Sequence, residues 1–277
     1  MAGKKKDTSL LHHLIGSRSL VWNLAKNDIK KKFAGSYFGV VWAFVQPVIT
    51  VLLYWFVFEK GLNSKATDLR TGIEIPFVLW LTAGLVPWFY FQEALNGGTG
   101  VLVEYSYLVK KVVFQIDMLP VVKMISALFT HLFFVAFTIV LFICMGYMPD
   151  WYALQVVYYS FCMILFATGL VYATSAVTVF FRDMKEVVGI LLQIGMWVTP
   201  IMWNFETMVQ IPGWAIAVLK LNPMYYIVSG YRNALINHIG FWEDMGITVY
   251  FWVVTAVILF LGPTVFKRLR PHFADVL

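Results

Sequence analysis

Residues 124–149 read MISALFTHLFFVAFTIVLFICMGYMP, 26 positions without an Asp, Glu, Lys or Arg. An α-helix needs about 20 apolar residues to cross a hydrocarbon core about 30 Å thick, so this stretch reads as a membrane span. Five further charge-free windows of similar kind lie around it: residues 33–58 (26 long), 75–92 (18), 151–181 (31), 187–205 (19) and 245–266 (22). Strands of a membrane barrel would be about 10 residues long with alternating polarity, and these runs are neither. Helices are the other way for backbone to cross lipid with its polar groups paired. The expected fold is an all-α membrane protein with six transmembrane helices.

Composition agrees. Of 277 residues, 60% are hydrophobic, 18% aromatic and 13% charged; the mean hydropathy is +0.75. A soluble domain carries about 25% charged residues, and a core of this size cannot hide so many apolar groups. The two cysteines, Cys144 and Cys162, each sit in an apolar run and read as small hydrophobes.

A net charge of +6 could point to nucleic acid, but its distribution reads as membrane topology. With six spans both termini share one side. If that side is the cytoplasm, sixteen Lys and Arg lie inside and five outside (Lys60, Lys65, Arg70, Lys220, Arg232). The positive-inside rule then places both termini in the cytoplasm. The domain expectation is a cytoplasmic segment over residues 1–36, a transmembrane domain over 37–266 and a short basic tail over 267–277. No apolar core followed by a small-residue cleavage site occurs in residues 1–36, so no cleavable leader is expected.

The segments outside the spans are also patterned. Leu20, Val21, Leu24, Ala25 and Ile29 form an apolar stripe beside Lys26, Lys30, Lys31 and Lys32. This reads as an amphipathic helix in the cytoplasmic interface, or as a basic anchor on anionic lipid. Residues 212–221 and 224–237 are apolar yet too short to span, with Asn222-Pro223 between them. External re-entrant or interfacial helices between spans five and six are expected there.

No G-x-x-x-x-G-K-[ST] run occurs, so if ATP powers this protein another polypeptide must hydrolyse it. Spacings for a metal site, a nucleophilic triad or a pair of catalytic carboxylates are also absent, which leaves catalysis without a candidate residue and cofactors without a site in this chain. Intramembrane charges would signal ion-coupled transport. Glu93, Lys123, Asp150, Arg182 and Asp183 all fall at span ends, and His131 reads as a packing residue. An ATP-independent flippase and a membrane enzyme acting on polyprenyl phosphates are the rival readings; the latter lacks the acidic loop that it needs to hold metal and diphosphate.

Within the spans, Phe38, Trp42, Gln46, Ile49, Leu53 and Phe56 recur every three or four positions, as do Gln193, Trp197, Pro200 and Asn204. Phe38, Trp42, Gln46, Gln193 and Trp197 are candidate channel-lining residues, since aromatic faces and amides suit a sugar chain. Trp55, Trp80 and Trp203 read as an interfacial belt. In the second cytoplasmic segment, Val101, Tyr105, Leu108 and Val112 repeat at helical spacing beside Glu104, Lys110 and Lys111. Such a helix either docks in a groove of a soluble partner or lies flat on lipid.

Four blocks together resemble the permease subunits of ABC transporters that export polysaccharides: residues 37–61 (YFGVVWAFVQPVITVLLYWFVFEKG), 84–120 (GLVPWFYFQEALNGGTGVLVEYSYLVKKVVFQIDMLP), 182–203 (RDMKEVVGILLQIGMWVTPIMW) and 222–232 (NPMYYIVSGYR). The first block looks most like wall teichoic acid exporters; O-antigen and capsule exporters share the pattern. The family's usual K-V-x-F-P-R-E run is KVVFQID here, at residues 111–117. The resemblance implies that residues 101–113 are the coupling helix that seats in the ATPase. It also implies that residues 26–33, with Lys26, Lys30, Lys31, Lys32 and Phe33, lead to a cytoplasmic gate where a lipid diphosphate enters. The implied partners are two ATPase subunits carrying ATP and Mg, a second copy of the chain, membrane lipid and a polyprenyl-diphosphate-linked glycopolymer.

Overall fold

The computed structural model describes residues 18–32, 34–110, 115–203 and 212–277. The chain is mostly helical: α1 (Arg18–Lys32), α2 (Trp42–Trp55), α3 (Phe77–Glu104), α4 (Ser106–Val109), α5 (Met118–Cys144), α6 (Gln155–Phe180), α7 (Met184–Val198), α8 (Gly213–Lys220), α9 (Pro223–Arg232), α10 (Met245–Leu269) and α11 (Phe273–Val276). A small antiparallel hairpin, β1 (Ala66–Thr67) with β2 (Glu74–Ile75), sets Ala66 opposite Ile75 and precedes α3.

Among the described residues four helical stretches are long and apolar enough to cross a membrane: Gly39–Gly61, Met118–Cys144, Trp151–Phe180 and Met245–Val276. The other two expected spans differ, each for a physical reason. Residues 75–92 fall in α3, whose 28 residues reach about 42 Å at 1.5 Å per residue. Nineteen of those residues are buried, so α3 is enclosed by protein and need not be greasy on every face. Residues 187–205 give α7, 15 residues long and about 22 Å. It stops at Thr199, which is extended (φ −74, ψ 127) because Pro200 follows it.

The break at Asn222-Pro223 lies where the sequence places it. α8 ends at Lys220, the Asn222 side chain accepts from the Met224 N–H, and proline opens α9. Such an Asn cap followed by Pro is a favoured helix start.

α3 runs through the middle of the bundle and packs against α5, α6, α7 and α9. Its apolar neighbours include Ala127 and Phe134 of α5, Phe166 of α6 and Tyr231 of α9. α1 lies across the start of α5, with Val21 and Ala25 against Met118 and Val122. At the same end Val101, Tyr105, Tyr172, Phe266 and Phe273 form a second cluster. α6 and α10 approach closely, and a Cβ on Gly262 would collide with the Gly169 carbonyl. In lipid, helices associate through such small-residue contacts rather than through water exclusion.

α2 is the exception. Of its 14 residues only Val51 is buried, while Ile49, Leu52 and Leu53 are exposed. α7 buries only Val188 and Leu192 and leaves Ile190, Leu191, Ile194 and Trp197 uncovered.

Gly262→Val should separate α6 from α10 and cost about 3 kcal/mol, the upper range for overpacking. Thermal unfolding in detergent reads this as an earlier loss of folded protein. A variant as heat-stable as the natural chain would contradict the crossing.

Candidate functional site: a cleft among five helices

The site begins at a buried charge. Asp28 takes the position that continues the Val21–Ala25 face of α1, so its carboxylate points at α5 rather than at solvent. Lys123 of α5 meets it at 2.6 Å and also reaches Glu104 at 2.8 Å. The Tyr105 hydroxyl donates to the same Asp28 oxygen at 2.9 Å. Burial, and next the hydrogen bond to Asp28, push the Tyr105 phenol above its usual range, so it remains a donor. Around this centre Lys31 approaches Glu104 at 3.5 Å and Lys32 pairs with Glu93 at 2.7 Å. The outer pairs are solvent-exposed and contribute little. The Asp28–Lys123 pair is buried, and losing one partner would strand the other.

These groups form the mouth of a cleft of about 730 Å³ between α1, α2, α3, α5 and α7. Lys31, Lys32, Lys123 and Lys185 face Asp28, Glu93 and Glu104 there. Among the described residues Lys185 has no carboxylate within ion-pair distance, so the mouth is net positive. Deeper in, the wall is uncharged. Trp42, Gln46, Thr50 and Tyr54 come from α2, Phe89, Gln92 and Asn96 from α3, and Ser126 and Thr130 from α5. Pro47 has no N–H for the Ala43 carbonyl, and both residues line the cleft. Amides, hydroxyls and ring faces of this kind can replace the hydration of a polyhydroxylated chain without fixing it in place. Among the described residues no group of His, Cys, Asp and Glu could hold a metal ion.

The structure sorts the expected site residues. Trp42 and Gln46 line the cleft, and Lys31 and Lys32 stand at its mouth. Phe38 is exposed before α2, edge-on to Trp42 with ring centres 5.8 Å apart. Gln193 and Trp197 lie on the exposed side of α7, which turns only Lys185 and Met196 to the cleft. Lys26 stands over the Trp22 ring at 5.3 Å and Lys30 is exposed; neither lines the cleft. Phe33, Lys111 and Val112 lie outside the described residues.

The stripe of the second cytoplasmic segment needs a correction. Val101 and Tyr105 are 0% and 4% exposed, covered by the chain itself. The reason is that the helix continues beyond the charge-free window of residues 75–92 to Glu104, which packs Val101 and Tyr105 with Tyr172 and Phe266. Leu108 is half-buried against the same cluster. Outward from this segment stand Tyr107, 56% exposed, and Lys110. Asp28, Lys123, Gln92, Asn96 and Thr130 escaped the sequence reading. Asp28 carried a signal all the same, an acid three residues after Ala25 on an otherwise apolar face.

Membrane-crossing helices around an open polar cleft define a class, the transmembrane subunit of a transporter. More particularly, the model of the ABC-2 type transporter family matches residues 19–236, and the chain belongs to that family. It is 25% identical over 266 residues to the O-antigen export system permease protein RfbA of Myxococcus xanthus, covering 96% of this chain and 98% of that one. An RfbA of the same description from Klebsiella pneumoniae is 21% identical over 258 residues, 92% of this chain and 93% of its own length.

Lys123→Met should leave Asp28 charged and buried without its partner, at a cost of about 3 kcal/mol. α1 should then detach, and protease should cut the 33–41 connection in proteoliposomes faster than in the natural chain. Adding Asp28→Asn should restore most of the resistance. Equal cleavage of Lys123→Met and natural protein would remove the pair from the account.

Proposed function

We propose that the chain is the permease subunit of an ATP-driven exporter that moves a polyprenyl-diphosphate-linked polysaccharide outward across the cytoplasmic membrane. The observation that carries this reading is the cleft, with its positive mouth and its neutral wall of amides, hydroxyls and rings. Lys31, Lys32 and Lys185 suit the diphosphate, and Gln46, Gln92, Asn96 and Trp42 suit the sugar chain that follows. The lipid tail stays in the bilayer. The relatives are O-antigen permeases, which favours an O-antigen type of polymer over wall teichoic acid.

Both termini lie in the cytoplasm in this reading, as the Lys and Arg distribution requires. In this reading α3 crosses fully, α7 together with the non-helical residues 199–203 after it makes the sixth pass, and α8 and α9 are the external re-entrant pair. α2 and α7, which flank the cleft, leave apolar faces uncovered. A second copy laid against them joins two clefts into one path. Two ATPase subunits supply ATP, Mg and the driving motion. Their contact is the outward face of the coupling segment, Tyr107 and Lys110, while Val101 and Tyr105 hold that segment to the bundle.

Purification of the natural chain in mild detergent should bring down an ATPase, and cells should display the polymer. Tyr107→Asp should leave the chain inserted but lose both the ATPase and the surface polymer. Export that survives loss of the ATPase and stops on collapse of the proton gradient would overturn the reading in favour of a secondary flippase.

A further inference from the structure

At the end of the bundle away from α1, a second cavity of about 320 Å³ opens between the β1–β2 hairpin, α3, the turn after α7 and α9. It is separate from the cleft, and the two share no lining residue. Its floor is Arg232, 6% exposed, whose guanidinium carbon stands 3.3 Å from the centre of the Trp80 ring. The guanidinium donates to the carbonyls of Trp80 at 3.3 Å, Pro200 at 2.6 Å and Ile201 at 2.7 Å. The break at Thr199-Pro200 leaves the Pro200 and Ile201 carbonyls without helical partners, and Arg232 satisfies them. Among the described residues no carboxylate comes within ion-pair distance of it. The floor is therefore electropositive.

The rim has the opposite sign. Glu243 and Asp244, both exposed, line it. Between floor and rim stand Ser229 and Asn233, with the rings of Trp203 and Tyr225 beside them. A simple anion is drawn by Arg232 and repelled by the rim; a simple cation meets the reverse. A ligand dense in hydroxyls satisfies both ends, because each hydroxyl donates to a carboxylate and accepts from a guanidinium or an amide. Ring faces suit the C–H side of a pyranose. A volume near the lower end of the usual range for small-molecule sites leaves room for roughly one or two sugar rings.

We propose that this cavity is a glycan-binding site, which takes a sugar unit of the polymer on the outer side of the membrane. The source of the sugar and the side of the membrane rest on the export reading; the chemistry of the cavity does not.

Saturation-transfer NMR on the full chain with its ATPase in nanodiscs tests this, with methyl glucoside, maltose and N-acetylglucosamine as probes and inorganic phosphate as the anionic control. At least one of the sugars should give ring-proton signals with the natural chain. Ser229→Trp, which fills the cavity, should weaken them about tenfold, the loss of one good contact. Glu243→Gln, at the exposed rim, should also weaken them and serves if Ser229→Trp does not fold. Equal sugar signals from natural chain and both variants, no signal from any sugar, or displacement of the sugar by phosphate would overturn the site. Surface polymer is scored separately. If cells without the chain still display polymer while the cavity binds sugar, the export reading falls and the site stands. If cells need the chain and its variants bind sugar equally, the site falls and export stands.

Discussion

Hydrocarbon offers no hydrogen-bond partner to an amide or a hydroxyl, and each such group left bare costs several kcal/mol. Gln46, Gln92, Asn96 and Thr130 all lie along helices that cross or fill the bundle, and all of them line one cleft. They are tolerable there only if the cleft holds water or substrate. That constraint orders the rest of the molecule. α3 carries two of the amides and is enclosed by protein, whereas α5 and α10 leave apolar side chains such as Leu132, Val140, Val253 and Phe260 exposed.

The mouth adds a second constraint. Asp28 is buried, so it has to be matched, and Lys123 with Tyr105 matches it. One network thereby joins the basic N-terminal helix, the start of α5 and the end of α3. Tyr107 follows Tyr105 by two residues and faces outward. Tyr105 itself belongs to the network that holds α1 against the cleft, so the exposed Tyr107 stands next to that network in the chain.

Much of this was legible in the sequence, and the misses have physical causes. Charge-free length located α2, α5, α6 and α10, because lipid selects for it directly. Length could not show that α3 is covered on most sides, or that the helix begun at Met184 stops before Pro200. Periodicity detected the stripe of Val101 and Tyr105 but not what covers it; their own chain does. The same blindness placed Gln193 and Trp197 beside Gln46, although α7 turns them away from the cleft. Trp42 and Gln46, which line the cleft, are conspicuous in the sequence because aromatic and amide groups deep in a span stand out. Lys123 reads in the sequence as one more charge at a span end and Asp28 is an acid among the lysines of a basic segment, and only the fold brings them together.

The central claim is that one face of α2 is wet and its opposite face is not. Single cysteines in a chain with Cys144→Ala and Cys162→Ala test it in membrane vesicles open to both sides, with a charged thiol reagent that does not enter lipid. Gln46→Cys and Thr50→Cys should be labelled rapidly, and Leu52→Cys, on the uncovered apolar face, should resist. Protection at 46 and 50 equal to that at 52 would mean that no aqueous path runs along α2.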